Sequence, residues 1–364
     1  MEINYNFIHE HFKINGLHYS YIDLLQFAYY FVKNGETYQQ EIGIFLLDWL
    51  NANDFVEVKT SGSTGIPKPI RIKKDAMVHS ALATGEFFNL KAGDTALHCL
   101  PSQFIAGKMM LVRAIILGLE LDIIKPTTKP VFDYTKHYHF CAMIPLQLEN
   151  ALRNSDKIKT IIIGGAAVSI ALKEKIQRVD SHVYETYGMT ETVTHIALKK
   201  LNNFTSLREG ATNQPVECYF KILPNISISR DTRGCLVINA PKLSEEKIIT
   251  NDIVNIHSKT EFEWLGRFDN VINSGGLKLF PEQIEAKLQN NLSQRFFVSS
   301  IPHETFGEQL VLVLEGNETL IDPSIFSELK KHEKPKHIFS VKQFVETTSG
   351  KIQRTKTLEL IDFK

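Results

Sequence analysis

No Cys-x-x-Cys pair occurs in this sequence. Its four cysteines, Cys99, Cys141, Cys218 and Cys235, stand far apart, and no histidine cluster accompanies them. The closely spaced ligands of a zinc module are therefore lacking, and the thiols read as buried or free in a reducing compartment. Excess charge is lacking too, because 41 basic side chains are balanced by 41 acidic ones. No basic cluster with interleaved aromatics appears, which argues against nucleic acid or an anionic membrane as the main partner. The greasiest run, MMLVRAIILGLELDII, is interrupted by Arg113 and Glu120 and is too short to cross a bilayer. The opening MEINYNFIHEHFKING carries acids early and has no apolar core, so it is not a signal peptide. We expect a cytoplasmic protein without repeats or low-complexity tracts.

What is present suits a globular chain of roughly two domains: 364 residues with 43% apolar content. Helical spacing runs through LLQFAYYFV and IGIFLLDWL, then through AMVHSALATGEFFNL and GKMMLVRAIILG. Strand patterns fall at PIRIKK, DTALHCLP, TIIIGG and SHVYETYG, and SIALKEKIQRV reads as a helix. Strands alternating with helices predict an α/β fold. From about Cys218 the texture shortens to YFKILP, GCLVINA, DIVNIH and FEWLG. After GRFDNVINSGG come a helix at PEQIEAKLQNN and strands at FFVSSI and QLVLVLEG. The expectation is a large N-terminal domain of sheets packed with helices, residues 1–267, followed by a small mobile α+β domain, 268–364.

The stretch TSGSTGIPKP, Thr60–Pro69, resembles a phosphate-holding loop in chemistry but matches no P-loop. A P-loop needs glycine where Pro67 stands and Ser or Thr where Pro69 stands, and it opens a helix instead of a strand. Ser63 also lacks the glycine two residues earlier that a nucleophile elbow requires. The loop still has what an anion wants. Gly62 and Gly65 let backbone N–H groups converge, Thr60, Ser61, Ser63 and Thr64 add hydroxyls, and Lys68 adds a point charge. Alone, such a loop is more often a plain surface turn.

Three later segments change that reading: YGMTET (187–192), GRFDNVINSGGLKLFPEQIE (266–285) and TTSGKIQR (347–354). With the loop, in this order, they resemble the signatures of the adenylate-forming superfamily, which includes acyl- and aryl-CoA ligases and luciferases. The resemblance runs from about residue 60 to about 356. It implies an enzyme that joins a carboxylate to AMP, releases pyrophosphate and passes the acyl group to the thiol of CoA.

The resemblance also implies roles. The Thr60–Lys68 loop would hold the β- and γ-phosphates of ATP. Gly164, Gly165 and Ala166 would lie against the adenine and the acyl pocket. In the Tyr187-Gly188-Met189-Thr190-Glu191 run, Tyr187 would stack near the adenine and Thr190 would reach the α-phosphate. Glu191 would hold Mg²⁺, a hard ion that takes carboxylate and phosphate oxygens. Asp252 would accept the ribose hydroxyls with Arg267 beside it, Asp269 would be the hinge, and Lys278 would lie on the face presented to the thiol. Lys351 would meet negative charge developing between carboxylate and α-phosphate. Without the neighbouring motifs, Asp252 would read as a turn residue and Lys351 as a solvated lysine.

Only 59 residues precede the loop, fewer than in typical members of the superfamily. That compactness and the wording IAGKMMLVRAI resemble short bacterial o-succinylbenzoate–CoA ligases of menaquinone synthesis. Such a substrate keeps a second carboxylate, which calls for a cation in its pocket. Lys108 is the first candidate and Arg113 the second; on a helix they lie about 140° apart. The alternatives are another aryl- or acyl-CoA ligase, an adenylation domain serving a carrier protein, or a non-catalytic nucleotide-binding module. If Lys351 acts as implied, Lys351→Ala lowers adenylation by roughly a hundred- to thousandfold and lowers transfer from preformed acyl-AMP far less. Equal losses in the two half-reactions, measured separately, contradict the role.

Overall fold

The computed structural model describes residues 3–59, 69–202, 219–289, 291–292, 294–317, 321–346 and 352–361. The Thr60–Lys68 loop and Lys351 lie outside the described residues, as does Cys218. Among the described residues, thirteen strands form one continuous sheet. Six of them run parallel, in the spatial order Lys13–Ile14, Glu120–Ile123, Thr95–His98, Tyr138–Met143, Ile158–Ile163 and His182–Gly188. Helices cover both faces, as a buried parallel sheet requires. Tyr21–Asn34, Thr37–Leu50, Lys74–Phe88 and Ile105–Leu117 pack on one side through Leu24, Phe45, Met77 and Leu111. On the other, Pro145–Ala151 and Ile170–Ile176 bury Leu148, Leu172 and Ile176.

Local chemistry sets the ends of these helices. Ser20 and Asp23 form a reciprocal capping box at the start of Tyr21–Asn34. Gly118, at φ 73°, ends Ile105–Leu117 in the left-handed conformation that glycine tolerates. Lys74, read from the sequence as the end of a strand, instead begins a helix. Its ammonium is buried on the Asn51 carbonyl at 2.9 Å, which ties the helix start to the preceding helix pair.

At His182–Gly188 the sheet changes character. The next strands in space, His195–Lys200, Phe220–Ile222, Glu261–Arg267, Ile248–Ile256, Cys235–Asn239 and Ser227–Arg230, all pair antiparallel. The antiparallel part curls. Four strand steps separate His182–Gly188 from Ile248–Ile256, about 19 Å if flat, yet Tyr187 hydrogen-bonds Asp252. The curl encloses a core of Ile196, Phe220, Leu236, Val254 and Phe262.

A second sheet follows the Phe268–Asn270 turn. Strand Gly307–Glu315 pairs with Ile272–Ser274, Phe296–His303 and His337–Val341, and Leu277–Leu279 adds an edge. Helix Pro281–Leu288 buries Ile284 and Leu288 on one face, while Leu358 packs toward Phe297 and Val311 on the other. The elements expected from the sequence are all present. Other strands were not expected, among them Phe55–Lys59, Glu120–Ile123, Tyr138–Met143, His195–Lys200 and His337–Val341.

The segment Pro101–Phe104 lies against the helix that follows it. A Cβ on Gly107 would stand 2.2 Å from the Pro101 carbonyl oxygen and 2.9 Å from Ser102 Cα, both backbone atoms. Gly107→Ala should therefore force the two segments apart and destabilise the fold by about 1–3 kcal/mol, read as a lower denaturant midpoint at unchanged slope.

Candidate functional site

Parallel strands place all their carboxyl ends on one edge, where open α/β sheets build sites. Gly164–Ala166 follow Ile158–Ile163, and Met189–Glu191 follow the neighbouring His182–Gly188. Gly164 allows their close approach, since a Cβ there would stand 2.2 Å from Thr186 Oγ1. Gly165, at φ 82°, and Ala166 are exposed at the strand end.

The reversal from Gly188 to His195 is unusually tight. Thr190–Thr192 make one 3₁₀ turn, and Val193 follows at φ 66°, ψ −57°. The Thr194 N–H then donates to the Thr192 carbonyl at 2.7 Å. This is a γ-turn of the strained form, centred on a buried β-branched residue. Gly188 makes room for it, because a Cβ would stand 2.3 Å from the Thr194 carbonyl oxygen. Thr192 is fully buried and braces the turn, its Oγ1 accepting from the Met189 N–H at 3.0 Å. Met189 packs on the enclosed core, whereas Glu191 is exposed, with no hydrogen bond or ion pair to it among the described residues. One exposed, uncommitted carboxylate suits Mg²⁺ shared with phosphates.

Tyr187 faces the enclosed core, edge-on to Phe262. Its hydroxyl donates to Asp252 Oδ2 at 2.7 Å. Burial first, then the charge of Asp252, pushes the tyrosine pKa up, so the phenol keeps its proton. Trp264 Nε1 donates to Asp252 Oδ1 at 3.2 Å, and Arg267 Nε lies 3.9 Å from the same oxygen. Arg267 also donates to Asp269 Oδ2 at 3.3 Å, and Asn251 donates to that oxygen at 3.3 Å. Thus Tyr187, Asp252, Arg267 and Asp269 come together. Lys278 lies apart, exposed on the edge strand of the second sheet.

The two candidate cations part company. Lys108 is buried, its ammonium donating to the Ser102 carbonyl at 2.7 Å and lying 5.1 Å from the Phe45 ring centre. Burial lowers its pKa, which Asp48 and Glu41 partly oppose. It therefore points toward the helix Thr37–Leu50. Arg113 is 1% exposed and points to the Thr194 turn. Its polar contacts are all long: Thr84 Oγ1 at 3.4 Å, Thr194 Oγ1 at 3.5 Å and Met110 Sδ at 3.8 Å. No carboxylate pairs with it among the described residues. Burial pushes its pKa down to about 9, which leaves the guanidinium charged at neutral pH. His195 stands beside it, within 3.4 Å of both Thr84 and Thr194 hydroxyls. Burial, then the charge of Arg113, keeps the imidazole neutral. A cavity of about 180 Å³ opens at His195, walled by Ser80, Ala83, Leu223, Ile226 and Leu243.

Sequence reasoning missed Thr84, Thr194, His195 and Trp264 as parts of this constellation. Trp264 carried a faint signal, being one of two tryptophans and alternating with Phe262 in FEWLG. Nothing local marked the others.

The family model for "AMP-binding enzyme" matches residues 58–242. The chain belongs to the AMP-binding enzyme family. A "2-succinylbenzoate--CoA ligase" of Haemophilus influenzae is 26% identical over 274 residues, covering 71% of this chain and 59% of the relative. The chain thus spans less than two thirds of that relative's length. A protein of the same name from Bacillus cytotoxicus is 24% identical, covering 84% of this chain and 70% of the relative. Among solved structures, an acyl-CoA synthetase (AMP-forming)/AMP-acid ligase II-like protein from Dyadobacter fermentans is 36% identical. It covers 89% of this chain and 94% of its own, with a TM-score of 0.59. The Bacillus subtilis o-succinylbenzoate coenzyme A synthetase, solved with ATP and magnesium, shares the fold at 19% identity. Its TM-score is 0.67, with 83% and 69% of the two chains covered. In the described residues no helix is long and apolar enough to cross a membrane.

Tyr187→Phe removes one donor to the nearly buried Asp252 carboxylate and keeps the ring packing. It should lower stability by about 1.5–3 kcal/mol, the range for a hydrogen bond to a charged group, in denaturant unfolding.

Proposed function

We propose that this protein is an AMP-forming carboxylate–CoA ligase whose acid is o-succinylbenzoate. The single observation that carries the substrate is Arg113: a buried guanidinium, without a carboxylate partner among the described residues, beside the Thr190–Thr194 turn. A buried charge lacking a partner is expensive, and a ligand carboxylate would relieve it. The geometry favours Arg113 over Lys108, which is already committed to Ser102. The cavity at His195 compares in size with the ~150 Å³ that holds a benzene ring; Leu82, Ala83, Leu223, Ile226 and Leu243 give it an apolar wall, and His79, Glu86 and Lys242 line it as well. The names of the relatives support the same acid.

In this reading one substrate carboxylate attacks the α-phosphorus of ATP and pyrophosphate leaves; the thiol of CoA then attacks the acyl carbon and AMP leaves. Thr60–Lys68 cradles the β- and γ-phosphates, while Gly164–Ala166 and Tyr187–Thr190 border the adenine and α-phosphate. Asp252 accepts the ribose hydroxyls and Arg267 adds charge beside them. Glu191 would hold Mg²⁺, which when bound offsets phosphate charge. Residues 1–267 act as body and 268–364 as lid, hinged at Asp269, and Lys351 enters with the lid. The enzyme works in the cytoplasm on small molecules, ATP and CoA included.

Pyrophosphate release should be fastest with o-succinylbenzoate, slower with benzoate and hexanoate, and product should form with CoA. No release with any acid sinks the ligase reading; preference for hexanoate, or for a pantetheinyl protein over CoA, sinks the substrate. Arg113→Met should raise KM for o-succinylbenzoate by roughly tenfold or more, leave KM for benzoate within about twofold, and unfold at no lower temperature than the parent, because an unpaired buried charge is gone.

A further inference from the structure

Asp252 is held from three sides, and one of its partners has no assigned purpose. Tyr187 donates to Oδ2 and Trp264 to Oδ1, while Arg267, at 3.9 Å, contributes charge without a hydrogen bond. The Asp252 N–H is bound to Thr250 Oγ1, so the backbone at this point is fixed as well. The terminal torsion of an aspartate is broad and roughly two-fold, so a single donor leaves its plane free to turn. Donors on both oxygens fix that plane. An ionised carboxylate offers about four acceptor sites; filling one on each oxygen leaves one on each, in the number that two vicinal hydroxyls need.

The strand is built to aim the indole there. Asp252 pairs with Arg267 and Ile253 with Gly266, but Val254 pairs with Trp264 instead of Leu265. Leu265 is the extra residue of a β-bulge. In a regular strand Arg267 and Trp264, three positions apart, would face opposite sides. The bulge reverses the parity between them, which is how bulges re-aim side chains. Trp264 thereby becomes the diagonal neighbour of Asp252 on the same side, a distance that aromatic side chains span. The bulge is also anchored from behind: Gln283 Nε2, on helix Pro281–Leu288, donates to the carbonyls of both Trp264 and Leu265 at 3.2 Å.

We propose that Trp264 is a positioning residue for nucleotide binding: through its indole N–H it orients the Asp252 carboxylate toward the two ribose hydroxyls. The indole is neutral, so it orients the acid without cancelling the charge that attracts those hydroxyls. This inference rests on reading Asp252 as the ribose acceptor, and its test separates the two.

The full chain with Mg²⁺ is titrated with ATP and with 2′,3′-dideoxy-ATP, for the parent, Trp264→Phe and Trp264→His. Imidazole Nε2 stands in the same position relative to Cγ as indole Nε1, so histidine restores the donor where phenylalanine removes it. The parent should favour ATP over the dideoxy nucleotide by roughly tenfold or more. Trp264→Phe should weaken ATP by about tenfold while changing the dideoxy nucleotide by less than about twofold, and Trp264→His should recover most of the lost discrimination. Trp264→Leu, also donor-free, replaces Trp264→Phe if that variant does not fold. Equal weakening of both nucleotides, or none, overturns the positioning role, since a merely structural tryptophan would not distinguish them. A parent that binds both nucleotides alike overturns the ribose reading of Asp252 first, and the role of Trp264 with it.

Discussion

The turn from Gly188 to His195 is the constraint on which the rest of this structure depends. It is where a parallel sheet becomes an antiparallel one, and the chain reverses there through a strained γ-turn at Val193. Such a conformation persists only where its surroundings over-determine it. Gly188 clears the space, and Thr192 braces the turn from inside. Two consequences follow. Ahead of the turn, Tyr187 faces the curled antiparallel half and meets Asp252. Behind it, Thr194 and His195 meet Arg113 on the helical side.

The nucleotide half and the acid half of the proposed site therefore share one backbone feature. Their electrostatics are opposite. Around Asp252 a carboxylate is satisfied by neutral donors and one nearby cation. Around Arg113 a cation is left with long contacts and a neutral histidine. The first arrangement is stable without a ligand, with one acceptor site left open on each oxygen; the second is costly without one. A protein that holds a charge in the second state gains from binding an anion there, which is the physical content of the substrate proposal.

Much of the chain was legible in advance. Helices with clear 3.6-residue spacing and strands bounded by Gly or Pro fell where expected, and the order of motifs carried the family. The strand Tyr138–Met143 escaped because it is a central parallel strand with helices on both faces, where alternation vanishes and a short apolar run carries no direction. His195–Lys200 escaped because no element was assigned to HIALKK, which follows the YGMTET motif. The preference for Lys108 over Arg113 rested on its place beside Gly107; helical angle separates the two side chains but does not say which neighbour each will find.

By itself, then, the sequence determined the helix and strand content that short-range periodicity encodes, and the order of four motifs along the chain. It also determined which residue types could serve a polyphosphate and a carboxylate. Only the tertiary structure decided that Lys108 is spent on a backbone carbonyl while Arg113 has no carboxylate partner among the described residues, and that a bulge at Leu265 turns Trp264 toward Asp252. It also decided that a curled sheet brings Tyr187 and Asp252, 65 residues apart, into hydrogen-bond contact. These depend on register, curl and burial, which arise from contacts between distant segments and leave no mark on local pattern.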